Sequence, residues 1–261
     1  IETLELFFYE IFGGFSWEFL IGPSAYGLLS GVQDFFTAVV LCGIAYALYR
    51  RLIVRPEGVG KSKDAMIILS LTSLLMISLL LMRAFHMIGE PKAQDGWKFV
   101  SGMIFNLVLQ PLSINPATAQ TIAAVFRWIH HLLVFGFLVY IPSSKHLHVL
   151  TAAPNTLFRT LDIEKGMYKT NLEAEGATSF GANKITDLSW KDTLDLYACT
   201  ECGRCQDACP AHNTQKPLSP KALIIDLKEN LYSNKLNLLA GKTEEITPIL
   251  GSKITDDVIW A

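Results

Sequence analysis

Three runs of apolar residues, each long enough to cross a bilayer as a helix, dominate the first 150 residues. They extend from about Phe35 to Leu52, from about Ala65 to Ile88, and from about Ala117 to Ile141. A hydrocarbon core of about 30 Å is crossed by roughly 20 helical residues at about 1.5 Å each. The third run can continue past Pro142 to Leu150, with Pro142 kinking or interrupting it. Residues 99–111 are apolar but short, which suits an outer-face or re-entrant helix. Residues 4–22 are aromatic-rich but carry Glu5, Glu10 and Glu18, so they read as interfacial or as a weak fourth span. The balance of 51% hydrophobic to 18% charged residues agrees with a membrane part. A net charge of −2 leaves no basic excess for nucleic-acid phosphates.

Charge sets an orientation. The loop after the first run carries Arg50, Arg51, Arg55, Lys61 and Lys63; the loop after the second has only Lys92 and Lys98, offset by Glu90 and Asp95. The positive-inside rule places the first loop in the cytoplasm. The third span then returns to the cytoplasmic side and delivers residues 151–261 there. This tail is mixed in composition and opens with loop-rich sequence over 151–190. Pro220 starts a helical stretch, Lys221 to Asn230, with Leu223, Ile224 and Leu227 at helical spacing.

Four of the five cysteines lie in Cys199-Thr-Glu-Cys202-Gly-Arg-Cys205-Gln-Asp-Ala-Cys209-Pro210. This C-x2-C-x2-C-x3-C-P spacing is that of [4Fe-4S] ligation, in which short spacings let three thiolates converge on one cubane. Gly203 permits the tight path between them. Zinc sites usually use two separated C-x2-C pairs instead. In two-cluster ferredoxins the fourth cysteine reaches the other cluster, so Cys209 is expected to serve a partner. The lead-in Tyr197-Ala198 before Cys199 is echoed by Trp260-Ala261, which suggests a second cysteine motif directly after Ala261. Residue 1 is Ile, so an earlier start is expected too. Cys42, in an apolar run, reads as a small packed hydrophobe.

Five of the six histidines lie at or near the membrane runs, where ionisable groups are costly and count as functional candidates. His86 has Arg83 one turn before it, and His130 has Arg127 one turn before it. A haem b between the two helices can take His86 and His130 axially, with Arg83 and Arg127 on its propionates. In a continuous helix His148, eighteen residues after His130, lies five turns or about 27 Å away on the same face. It is a candidate ligand of a second haem, with Met76 as the soft partner at a matching depth. His146 and His148, beside Lys145, read equally as interfacial groups facing water or headgroups. His131 turns about 100° from His130 and reads as a satisfied core group, with a quinone contact as the alternative. His212 reads as a surface residue.

The stretch Tyr140-Ile-Pro-Ser-Ser-Lys145-His-Leu-His148, then Pro154-Asn155, resembles the end of the membrane domain in prokaryotic iron–sulfur oxidoreductases related to heterodisulfide reductase. Their membrane part is similar to the nitrate reductase gamma subunit, a di-haem cytochrome b. Cys199 to Pro210 and Lys216-Pro-Leu-Ser-Pro-Lys221 look like the same family, and the resemblance covers about residues 30–230. Within it the chain is most similar to membrane-bound, haem-containing electron-transfer flavoprotein:quinone oxidoreductases. The resemblance implies a soluble electron-transfer flavoprotein as donor, [4Fe-4S] clusters and haem b as carriers, and menaquinone as acceptor. It also implies a prokaryotic cytoplasmic membrane with several passes. The gamma-subunit pattern places two histidines eighteen apart on one helix, which His130 and His148 match; a second helix should carry two more, where this chain has His86 and Met76.

The expectation is a mainly α chain: a cytochrome b-type transmembrane bundle over 1–150, a loop-rich linker over 151–190, and a small α-helical ferredoxin-like domain over 191–261. The expected activity is electron transfer from a cytoplasmic donor to the quinone pool. Alternatives are a quinol-linked heterodisulfide reductase subunit and a non-catalytic membrane-tethered iron–sulfur sensor or assembly protein.

Overall fold

A proline at the first helical position, where its missing N–H is no loss, starts three of the long helices. The computed structural model describes residues 2–55, 62–90, 96–161, 173, 181–251 and 253–261. The charges of Lys61, Lys92 and Asp95, and residues 162–172 and 174–180 of the 151–190 linker, lie outside them. Among the described residues the elements are helices α1 (Glu2–Phe12), α2 (Glu18–Ile21), α3 (Pro23–Tyr49), α4 (Lys63–Gly89), α5 (Phe99–Ile104), α6 (Pro116–Tyr140), α7 (Leu147–Leu157), α8 (Trp190–Ala198), α9 (Arg204–Asp207), α10 (Pro210–Asn213), α11 (Pro220–Ser233), α12 (Lys235–Leu239) and α13 (Asp256–Ile259). No strand occurs among them; two isolated bridges, Lys184 to Pro248 and Leu250 to Ile254, tie the C-terminal loops. The chain divides into two compact units, Ile1–Pro142 and Ser143–Ala261.

In the first unit three helices are long and apolar enough to cross a membrane: Pro23–Val54, Lys63–Gly89 and Pro116–Ser143. The first begins twelve residues before the Phe35 start expected from hydropathy. Its early turns carry Gly27, Ser30, Gly31 and Asp34 on a buried face, and these small polar groups conceal it from an apolar average. A Cβ at Gly31 would stand 2.6 Å from the Trp97 carbonyl oxygen, and one at Gly27 would stand 2.7 Å from the Trp97 ring. Only glycine lets α3 approach the 97–98 backbone so closely. Residues 4–22 do not form one continuous helix: α1 ends at Phe12 and α2 begins at Glu18, and Glu5 accepts hydrogen bonds from Ser16 Oγ (2.7 Å) and the Trp17 N–H (3.2 Å) in the turn between them. The short apolar segment Phe99–Leu112 is, as expected, no full span.

α4 and α6 run antiparallel and share the largest helix contact of the unit. Gln120 meets Gly89, Phe85 stacks on Phe126 at 5.9 Å, Ser78 meets His130, and Tyr140 donates to Asp64. α6 ends at Tyr140 and gives way to a tight turn, Ile141–Ser143, before α7 starts at Leu147. Pro142 therefore interrupts the helix instead of kinking it, and His148 does not share a continuous helix with His130.

The second unit buries Ile185, Leu196 and Ile246, with Leu188, Ile224, Leu227, Leu231 and Leu238 packed around them. Ile224 and Leu227 are thus the inward stripe of α11 that helical spacing predicts. α7 packs against α8. Residues Ser143 to Leu150 consequently belong with this unit, eight residues earlier than the boundary read from composition.

Candidate functional site: the cysteine loop

α8 is a well-capped lead-in. The Ser189 hydroxyl accepts from the Asp192 N–H at 3.1 Å, and the Asp192 carboxylate accepts from the Ser189 N–H at 3.0 Å. This reciprocal cap fixes the first turn, Leu196 anchors the helix in the core, and Cys199 leaves it in extended conformation (φ −67°, ψ 122°). The chain then wraps through two left-handed residues, Glu201 (φ 57°) and Gly203 (φ 84°), and enters α9, which carries Cys205. Cys209 caps α10, whose first residue is Pro210. The C-P pair is therefore a helix start, and the proline turns the chain away from the loop. Ser219, which caps α11, donates to Gln206 Oε1 at 2.7 Å and ties that helix to the loop.

Backbone donors face the sulfurs. The Glu201 N–H points at Cys199 Sγ at 3.4 Å. The Cys202 thiol is held below its usual range, first by the Arg204 N–H and then by the Thr200 side chain. Successive N–H groups presented by left-handed turns favour anionic ligands such as thiolates. Cys202 and Cys205 are exposed, while Cys199 and Cys209 are half-buried. Among the described residues no three His, Cys, Asp or Glu side chains already converge on one metal position. The donor set fits an iron–sulfur cluster by its chemistry: four thiols on one short loop, with amide donors beside two of them.

α7 braces this loop. Thr151 Oγ1 donates to the Tyr197 carbonyl at 3.1 Å, Lys191 reaches Asn155 Oδ1 at 2.7 Å, and Lys145 pairs with Glu201. Glu201 is only 15% exposed, so this charge pair sits partly out of water beside the cysteines.

The membrane-unit histidines are arranged differently from the sequence expectation. His130 is 2% exposed. The Ser78 hydroxyl donates to the Leu75 carbonyl, so His130 Nδ1 must donate to Ser78 Oγ (3.0 Å), which leaves Nε2 to accept from Thr3 Oγ1 (3.3 Å). Both nitrogens are occupied. His86 is half-exposed and lies 3.8 Å from Glu90. His130 meets α4 at Ser78, eight residues or about 12 Å along the helix from His86. The structure does not bring the pair to one depth, because the α4–α6 register sets Phe126, not His130, beside Phe85 and hence at the level of His86. The arginines are engaged elsewhere too: Arg83 with Asp34, and Arg127 with Glu10 (2.8 Å) and the face of Tyr9. Met76 is half-buried on α4. His148 turns Nδ1 to the Lys145 carbonyl, with the His146 ring 5.8 Å away, both within the second unit. His131 is buried, as a core group should be, but it is not satisfied: Nδ1 meets the Arg127 carbonyl at 2.9 Å and Nε2 has no partner among the described residues. Cys42 is exposed on a span helix, hence not packed, and His212 is half-buried.

Sequence reasoning missed Asp34. This carboxylate is fully buried between α3, α4 and α5. It accepts from Arg83 Nη1 (3.2 Å), from the Val100 N–H (2.6 Å), from the Ser101 N–H (3.1 Å) and from the Ser101 hydroxyl. Arg83 Nη2 also reaches Gln33 Oε1 at 3.1 Å. The signal was a lone acid between apolar stretches, on the same face as Gly27 and Gly31.

Fold and loop together define a helical chain that joins three helices of membrane-crossing length to a 4Fe-4S binding domain; the family model described as "4Fe-4S binding domain" matches residues 190–211. The chain is 33% identical over 213 residues to the probable iron-sulfur-binding oxidoreductase FadF of Bacillus subtilis (strain 168), covering 81% of this chain and 29% of that protein. It is 31% identical over 243 residues to the EtfAB:quinone oxidoreductase of Syntrophomonas wolfei subsp. wolfei, covering 87% and 32%. A probable membrane-anchored ferredoxin of Chromohalobacter salexigens is 31% identical over 140 residues, covering 48% and 20%. The chain thus spans less than a third of the length of each of these relatives. No solved structure matches it.

Proposed function

We propose that this chain is the membrane-anchoring and entry segment of an oxidoreductase that passes electrons between a soluble flavoprotein and the quinone pool. The observation that carries the reading is the loop Cys199–Pro210, with N–H donors on its sulfurs, in a chain that also has three span-length helices. The named activity of the Syntrophomonas relative supports electron-transfer flavoprotein as donor and a quinone as acceptor. The loop charges Arg50, Arg51, Arg55 and Lys63 support a cytoplasmic iron–sulfur domain.

A [4Fe-4S] cluster, when bound, supplies a one-electron store. Cys199, Cys202, Cys205 and Cys209 would hold iron, with Cys209 reaching a partner cluster. The Glu201 and Arg204 amides stabilise the thiolates, α8 and α11 fix the loop, and Lys145 balances the charge of Glu201. A haem shared by His86 and His130 does not fit this arrangement, because the two lie about 12 Å apart in depth and His130 has both nitrogens bonded. No step is assigned to that pair.

Anaerobically purified protein in detergent is expected to contain iron and acid-labile sulfide in equal amounts. Its reduced cluster signal should appear on mixing with reduced electron-transfer flavoprotein and decay on adding a menaquinone analogue. Zinc without sulfide, or a cluster that neither partner reduces or oxidises, would overturn the reading.

Lys145→Met should lower the cluster midpoint potential, because the Glu201 carboxylate then stands beside the thiolates without its counter-charge and favours the oxidised state. A fall of about 60 mV corresponds to tenfold in a one-electron equilibrium. Lys145→Arg should restore most of it; an EPR-monitored redox titration makes the comparison.

A further inference from the structure

The geometry points to α7 and the residues just after it as a membrane-surface helix, lying with Val149, Leu150, Leu157, Leu161 and Trp190 in the boundary between lipid headgroups and acyl chains. The polarity of this helix is inverted relative to a water-exposed one. A surface helix of a soluble domain turns its apolar stripe inward and its polar groups outward. Here Thr151 and Asn155 turn inward, bonded to the Tyr197 carbonyl and to Lys191. The apolar groups face out: Val149 is 59% exposed, Leu157 76%, Leu161 79% and Trp190 64%.

Covalent continuity selects lipid as the occupant. α7 starts four residues after Ser143, where the apolar stretch made of α6 and the tight turn that follows it ends. Four residues reach at most about 14 Å, so the start of α7 stays close to the level at which that helix leaves the hydrocarbon. Trp190 packs edge-on against Phe158 at 5.4 Å, beside exposed Arg159. An exposed tryptophan with an arginine at the edge of an apolar face is the composition that settles at headgroup level.

The test uses the full chain in phosphatidylcholine–phosphatidylglycerol vesicles and two photoactivated carbene probes, one dissolved in lipid and one in water, with labelled residues mapped by mass spectrometry. Leu132 and Val139, exposed on the span helix α6, serve as the lipid-labelled standard. The expected result is lipid-probe labelling of residues 149–161 and Trp190. Leu157→Glu combined with Leu161→Glu should abolish it and leave Leu132 labelled as before. Labelling of 149–161 by the water probe alone would overturn the proposal. So would labelling by neither probe, which would mean that protein covers the face, as a second copy or the remainder of a longer chain would do. The readout does not depend on cluster content or on quinone chemistry, so it stands or falls separately from the proposed function.

Discussion

Replacing Asp34 with leucine is expected to destabilise the membrane unit by about 3–5 kcal/mol, the usual cost of removing one member of a buried ion pair. The carboxylate takes a charged donor from Arg83 and three hydrogen bonds from Val100 and Ser101. Without it the amides that open α5 lose their acceptor, and Arg83 loses its bond to Asp34 while it keeps Gln33. The loss should appear as a lower unfolding midpoint in detergent, followed by circular dichroism, and as new protease cleavage near 97–104. Combining Asp34→Leu with Arg83→Met should recover part of it, since the guanidinium that faced the lost carboxylate is then removed as well. An unchanged midpoint in Asp34→Leu would show that α5 is held by packing alone.

The second large effect is expected at the loop. Cys202→Ser should remove the iron–sulfur signal and most of the iron, because the three closely spaced thiolates act as one ligand set. Membrane insertion should not change, since the three span-length helices all precede the loop in the chain and contain none of its cysteines. Cys42→Ser, on the exposed face of α3, should leave iron and sulfide at the level of the unaltered chain and serves as the control. Full iron and sulfide in Cys202→Ser would remove Cys202 from the ligand set.

Features that depend on local spacing were legible in the sequence. The cysteine run and the Pro220 helix start read correctly because spacing and backbone chemistry act over a few residues. The second span read correctly because nearly every turn of it is apolar. The start of α3 was hidden because Gly27, Ser30, Gly31 and Asp34 lower the average over the very turns that pack most closely. The break at 141–146 was visible as Pro142, but whether a proline kinks or ends a helix depends on what the following residues pack against, here α8. The separation of His86 and His130 has a long-range reason. Depth in a helix pair is fixed by register, and the register comes from contacts such as Gly89 with Gln120 that no local pattern reveals. The satisfied state of His130 likewise depends on Thr3, 127 residues away.

Glu201 answers two opposing demands. Its left-handed backbone, at φ 57°, is strained by about 1–2 kcal/mol for a residue with a Cβ, and glycine would relax it. Its carboxylate is what engages Lys145 next to the thiolates. Conformational ease and charge balance therefore compete for one position, so a change there that gains thermal robustness moves the electron affinity of the loop with it, and neither property can be adjusted at residue 201 alone.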